Sequence, residues 1–239
     1  MSPAPLAGLP NDGRGSKIVS DYLLSSNHSL FMPPQAVVPA APRHRLTTDQ
    51  RQREIVATVL ELARERGPDA ITTQAIADRM GLTQGAVFRH FPDKQAIWLA
   101  VFAWVRESLG AAMAAAVEKA DSPLAKIERA FLAHVAFIAE NPGVPRVMFH
   151  EMQYPGDSPV RTEVRAMIDG YRQRLTSLFT QAKAAGELPR DLDATLAPVL
   201  FIGAVQGLVI EASLAGDEAG MVKRSRKLFA LLLDGYRRR

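Results

Sequence analysis

Thr73-Gln-Ala-Ile-Ala-Asp-Arg-Met-Gly-Leu-Thr-Gln-Gly-Ala-Val-Phe-Arg-His-Phe91 reads as two short helices joined by a tight turn and closed by an aromatic anchor. Ile76, Met80, Leu82 and Val87 are apolar at positions that can face inward together, and Ala77 is small where two helices would cross. Gly81 stands where the turn needs a left-handed backbone, which costs glycine little. Thr83 follows as a helix cap, its hydroxyl accepting from a free N–H of the next first turn. The spacing predicts a helix-turn-helix, whose second helix can lie in the major groove of duplex DNA.

Working outward, Thr47 with Gln50 predicts a capping box, and Asp49 suits the positive end of the helix that follows. Ile55, Val59, Leu62 and Ala63 recur at helical spacing, and Gly67-Pro68 ends that helix. Beyond Phe91-Pro92, Asp93 is placed to cap a long helix with Ile97, Val101, Val105 and Leu109 on one face, reaching about Val117. Further helices are expected over about 122–140, 144–152, 158–185, 192–214 and 218–236, separated by Asn141-Pro142-Gly143, Tyr154-Pro155-Gly156 and Gly186-Glu187-Leu188-Pro189. No stretch alternates with period two for long enough to argue a strand. The expected fold is all-α, with residues 47–92 as a three-helix reading head and 93–239 as a helical domain for effector binding and dimerisation. Residues 1–46 are rich in Pro, Gly, Ser and Ala and read as a disordered extension. Two other readings stand beside that one: Arg43, His44 and Arg45 as an arm on DNA, or translation starting at Met32.

The 239 residues are 47% hydrophobic and 23% charged, the balance of a globular chain with a core to bury. The formal charge is +4, and the acidic and basic residues of 49–94 roughly cancel, so a basic footprint must come from arrangement. With no cysteine, neither a disulfide framework nor a thiolate metal site can form. The apolar run near Leu196–Ile210 is interrupted by Gly and Gln and reads as short of a membrane span. No basic-then-apolar leader is seen, and a cytoplasmic location is expected. Aromatic content of 7% offers no extended stacking platform for single strands.

The segment TTQAIADRMGLTQGAVFRHFPDKQAIWLAVF resembles the DNA-binding segment of the tetracycline-repressor (TetR/AcrR) family of bacterial transcriptional regulators. The match rests on Thr73-x-x-Ile76-Ala77, Gly81, Thr83-x-Gly85, His90-Phe91 and Lys94, within about 48–105. The resemblance implies a homodimer that binds a palindromic DNA operator, most simply as a ligand-responsive repressor without a cofactor, a metal site or catalytic residues. It implies a DNA-contacting set of Thr72, Thr73, Thr83, Gln84, Gly85, Phe88, Arg89, His90 and Lys94. Gln84 is the base reader, its amide matching an adenine edge. Gly85 lets the backbone approach a phosphate, and Arg89 reaches phosphate or guanine. Thr73 and His90 are expected on phosphates, and Lys94 adds a charge to a helix N-terminus. The family usually has Tyr where this chain has Phe88, so one hydroxyl contact is missing and the ring is left to pack on sugar or a thymine methyl.

Farther along, Gly203 and Gly207 lie one turn apart with Ala204 beside them, leaving a strip of helix nearly bare of side chains. With Phe201 and Leu208 on the same helix and Leu228 and Leu232 on the last one, these residues suggest a four-helix dimer interface. Phe131, His134 and Phe137, with Met148, Met152, Phe179 and Gln206, suggest a partly apolar effector pocket, although a Phe/Met stripe is as readily plain core. Effector binding would move the long fourth helix and with it the spacing of the two reading heads. Two other readings remain: a helix-turn-helix activator or architectural protein without an effector, and an all-α enzyme. No phosphate loop or nucleophile elbow is found. His150-Glu151 lacks the second His of a zinc-protease helix, and Asp191 and Asp193 read as caps.

Overall fold

A computed structural model describes residues 47–153 and 156–237. The expectations for residues 1–46, including Arg43, His44, Arg45 and Met32, and for the Tyr154-Pro155 break fall outside the described residues. All regular structure among the described residues is helical: α1 Thr48–Glu65, a 3-10 turn Pro68–Ala70, α2 Thr73–Met80, α3 Gln84–Phe88, α4 Lys94–Glu118, α5 Pro123–Glu140, α6 Gly143–Gln153, α7 Pro159–Ala184, α8 Ala197–Ala215 and α9 Glu218–Arg237.

Most helix starts carry their own signature. Thr47, Thr72, Thr83, Asp93, Ser122 and Ser158 each precede a helix, and the side chain of each accepts a hydrogen bond from a first-turn backbone N–H. Each such bond satisfies a donor that the helix itself leaves orphaned. The capping box at α1 is complete, with Gln50 N–H donating to Thr47 Oγ1 at 3.2 Å and Thr47 N–H donating to Gln50 Oε1 at 2.9 Å. Gly81 ends α2 with φ 64°, the left-handed conformation that the turn requires.

The start of α8 differs from its expectation at 192. Asp193 accepts hydrogen bonds from Thr195 N–H (2.8 Å), Thr195 Oγ1 (2.7 Å) and Leu196 N–H (3.2 Å) and so forms a local turn. These bonds, the Thr195 hydroxyl's first, hold its carboxyl below the usual range. Pro198 sits in the first turn of the helix that follows.

Two apolar clusters fill the interior. The first gathers Ile55, Val59 and Leu62 of α1, Ile76 and Ala77 of α2, Val87 of α3 and Ile97, Val101 and Phe102 of α4. It continues without interruption into Phe137 of α5, Val144 and Val147 of α6 and Val160 and Val164 of α7. The second joins Ile127, Phe131 and Val135 of α5, Leu175 and Phe179 of α7, Phe201 and Val205 of α8 and Phe229 of α9. The core under the reading head is therefore shared with helices from beyond residue 93. The tightest point of that sharing is Gly143, where a Cβ would lie 2.1 Å from the Leu60 carbonyl oxygen. Only a residue without a side chain lets α6 begin against the α1 backbone.

Among the described residues two helices, α4 and α8, are long and apolar enough to cross a membrane by length and composition alone, which corrects the reading of Leu196–Ile210 as too short. For α8 the cause is two apolar faces on one helix. Phe201, Val205, Leu208, Val209 and Ala212 are buried in the second core. On the other side Leu196, Val199, Leu200, Ile210 and Leu214 are exposed.

Candidate nucleic-acid interface and effector cavity

The α2–α3 unit is built from inside outward. Val87 is fully buried and Ile76 and Ala77 are closed off beneath it, so α3 is anchored by one of its five residues, with Ala86 half-buried beside it. Thr83, Gln84, Gly85, Phe88 and Arg89 are all exposed, as are Thr72 and Lys94. Phe88 has 42% of its surface exposed, an apolar ring on an otherwise polar face. Lys94 opens α4 directly after its cap Asp93, whose carboxylate takes Ala96 N–H at 2.7 Å. The head is clamped by Gln52 of α1, whose amide donates to the His90 carbonyl at 2.9 Å. His90 is half-buried, and its Nδ1 is buried with no hydrogen-bond partner among the described residues. Arg79 of α2 pairs with Glu65 of α1, and the bond lowers the Glu65 carboxyl below its ordinary range.

Four of the residues expected on DNA, Thr72, Thr73, Thr83 and Gln84, have side-chain partners inside the protein. The Thr72 hydroxyl accepts from Ala75 N–H at 3.0 Å and caps α2. Thr73 is 9% exposed, and its Oγ1 accepts from the Gln84 amide at 2.7 Å.

The outer strip of α8 runs Leu196, Leu200, Gly203, Gly207, Ile210, Leu214, steps of three and four that keep one face. A Cβ at Gly203 or Gly207 would meet nothing within 4 Å. Phe201 and Leu208, expected on this face, point into the second core instead, because they stand about a third of a turn away from it. Ala204, Leu228 and Leu232 are half-buried at its margin, and Leu231 of α9 extends the exposed apolar surface.

A cavity of about 330 Å³ opens between α4 and α7. Leu109, Met113 and Val117 line one side, Met167, Tyr171 and Leu178 the other. Gly110 and Ala114 also line it, one turn apart on α4, and their small side chains leave the space. Arg106, Arg174 and Ser177 also border the cavity and are exposed, so its rim is polar and basic. Arg106 pairs with Glu163 of α7 across the end of this gap.

The seven residues expected at an effector are spread elsewhere. Phe131 and Phe179 are fully buried, the first edge-on to Phe201 at 5.1 Å and the second edge-on to Tyr236 at 5.2 Å. Phe137 lies in the first core, 6.0 Å from Trp104, and Met148 packs against that core. Met152 and Gln206 are exposed. Helical spacing placed these residues on faces that fill cores or meet solvent. His134 meets the cavity wall directly, its Nδ1 2.8 Å from the Tyr171 hydroxyl. Burial depresses its pKa to about 4 and raises that of Tyr171, so the pair is neutral at physiological pH. The cavity residues carry no motif; the sequence signal that marks them is the small-residue run Gly110-Ala-Ala-Met-Ala-Ala-Ala-Val117 inside a long helix.

Residues 55–101 match the family model for bacterial regulatory proteins of the tetR family, and 120–210 match that for a tetracyclin repressor-like C-terminal domain. Among curated proteins, the nucleoid occlusion factor SlmA of Actinobacillus pleuropneumoniae is 21% identical over 148 residues, 62% of this chain and 73% of that one. Among solved structures, the fatty acid degradation regulator FadR of Bacillus halodurans superposes with a TM-score of 0.69 at 17% identity, over 82% of this chain and all of that one. The transcriptional regulator FadR of Bacillus subtilis, solved with stearoyl-CoA, gives 0.65 at 19% identity over 77% of this chain and 98% of its own.

Proposed function

The chain belongs to the TetR family of bacterial regulatory proteins, DNA-binding regulators of transcription, and from that premise we propose that it is a homodimeric repressor released from a palindromic operator by a small amphipathic ligand. The observation that carries the reading is α3: a capped helix anchored by Val87 alone, with Gln84, Gly85, Phe88 and Arg89 turned to solvent. Gln84 and Arg89 supply base-edge and phosphate donors, and Lys94 supplies a phosphate contact at a helix start. Twofold pairing through the outer strip of α8, joined by α9, sets two such helices about one turn of DNA apart, which a palindrome matches.

The cavity between α4 and α7 is the effector site in this reading. Its apolar lining and basic rim suit an apolar chain ending in an anionic group, and the Bacillus subtilis relative that binds stearoyl-CoA supports a ligand of that kind. The amino end of α4 follows α3 within a few residues, so a ligand that parts α4 from α7 tilts the reading helix. Such a ligand acts only through its preference for the tilted state. Moving the population from almost all bound to almost all free takes about 5.5 kcal/mol of preference. The protein works in the cytoplasm, where operator and ligand meet.

Genomic footprinting with the purified protein, followed by titration of the protected fragments with acyl-CoAs of graded chain length, tests the reading. A protected palindrome that is released by one chain-length class is the expected result. Protection that no acyl-CoA alters removes the ligand assignment, and absence of any protected site removes the repressor.

A further inference from the structure

Thr73 and Gln84 open successive helices, eleven residues apart, and meet side chain to side chain at 2.7 Å. The partners differ in setting: Thr73 is nine-tenths buried, whereas Gln84 stands exposed as the first residue of α3. A glutamine amide carries two N–H donors and one carbonyl acceptor. With one N–H given to Thr73, the other N–H and Oε1 remain, and those are the two groups that an adenine edge requires, N7 accepting and N6 donating. An unanchored glutamine must give up several rotamers to make that pair, and ordering lost before binding is not lost again on contact.

We infer that Thr73 is a positioning residue for sequence reading: it holds the Gln84 amide ready for an adenine in the major groove and makes no phosphate contact of its own. This rests on α3 being the groove-reading helix. The Thr73 hydroxyl oxygen lies inside the α2–α3 joint, against the Gln84 amide, on a residue only 9% exposed. A threonine that seats a phosphate needs the open surface that Thr72 and Thr83 have and Thr73 lacks.

The test measures affinity of the full chain for its footprinted operator and for a panel with each base pair replaced, using Gln84→Ala, Thr73→Val, Thr73→Ser and the double variant Thr73→Val/Gln84→Ala. Thr73→Val is expected to weaken the preferred operator by about 3- to 10-fold, the scale of ordering one side chain, and to flatten preference at the same base pair as Gln84→Ala. Thr73→Ser keeps the preference, and the double variant binds no worse than Gln84→Ala alone. Circular dichroism checks each fold, and Thr73→Ala gives the same readout should valine disturb α2. Equal weakening on every sequence, with additivity with Gln84→Ala, makes Thr73 a phosphate contact and overturns the inference. Full preference retained in both Thr73→Val and Thr73→Ala overturns it as well. Should Gln84→Ala alter no base position, the groove-reading assignment beneath the inference fails first, and the inference with it.

Discussion

Helices α3 and α8 each bury one face and expose another, yet the exposed faces are opposites. On α3, five residues long, the open side carries a glutamine, a glycine and one phenylalanine, with Arg89 exposed at its C-cap. On α8, nineteen residues long, it carries leucines, valine and isoleucine around two glycines. Exposed polar groups at a capped helix start suit a hydrated, charged partner, whereas a bare apolar strip suits another surface of its own kind. Both helices are anchored by apolar residues on their hidden sides, so the buried face alone would not tell them apart.

The contrast breaks most visibly if the α8 strip is charged. Leu200→Glu with Ile210→Glu is expected to give monomers in sedimentation, with operator affinity falling roughly 100-fold or more as the linked second half-site is lost. Dimers that persist in that variant would take the interface elsewhere. The next largest effect falls on Gly143, where α6 meets α1. Gly143→Ala forces a methyl against the Leu60 carbonyl oxygen, and denaturant unfolding should show a loss of about 1–3 kcal/mol, the usual cost of overpacking. A pH series separates body from head. His134 is neutral in the fold, with a pKa of about 4, and takes up a proton on unfolding below its ordinary 6.5. More protons are then bound unfolded than folded, so stability present above pH 6.5 is lost as pH falls toward 4, on the order of 1–2 kcal/mol by pH 5. In His134→Asn that part of the pH dependence should vanish from the melting curves. The smallest effect sharpens the α3 side: Lys94→Ala should weaken every DNA sequence several-fold and reduce the salt slope by about one.

How much of this was readable beforehand depended on whether the cause was local. Thr47, Thr83 and Asp93 were legible as caps because a cap is decided by a residue and its next three neighbours. The head was legible for the same reason, with Gly81 taking the left-handed turn foreseen for it. The start of α8 was missed because Asp193 spends its carboxylate on a turn instead of on the helix. Phe201 and Leu208 could not be separated from Leu200 and Ile210 by pattern, since α8 is apolar on both sides and periodicity reports only contrast. The cavity escaped because it is made by what Gly110 and Ala114 lack. A search for aromatic and thioether side chains found Phe131 and Phe179, which fill space, and passed over the small residues that create it. The bond from Gln84 to Thr73 was hidden because it joins two helices across the turn, which no local pattern shows.

The meeting of Gly143 with the Leu60 carbonyl has a mechanical consequence. Where two backbones touch with no side chain between them, there is no compliant layer to slide or compress. That contact is a fulcrum: it can rotate but has almost no travel. Relative motion of α1 and α6 at this point is therefore expected as rotation about the first turn of α6 and not as sliding.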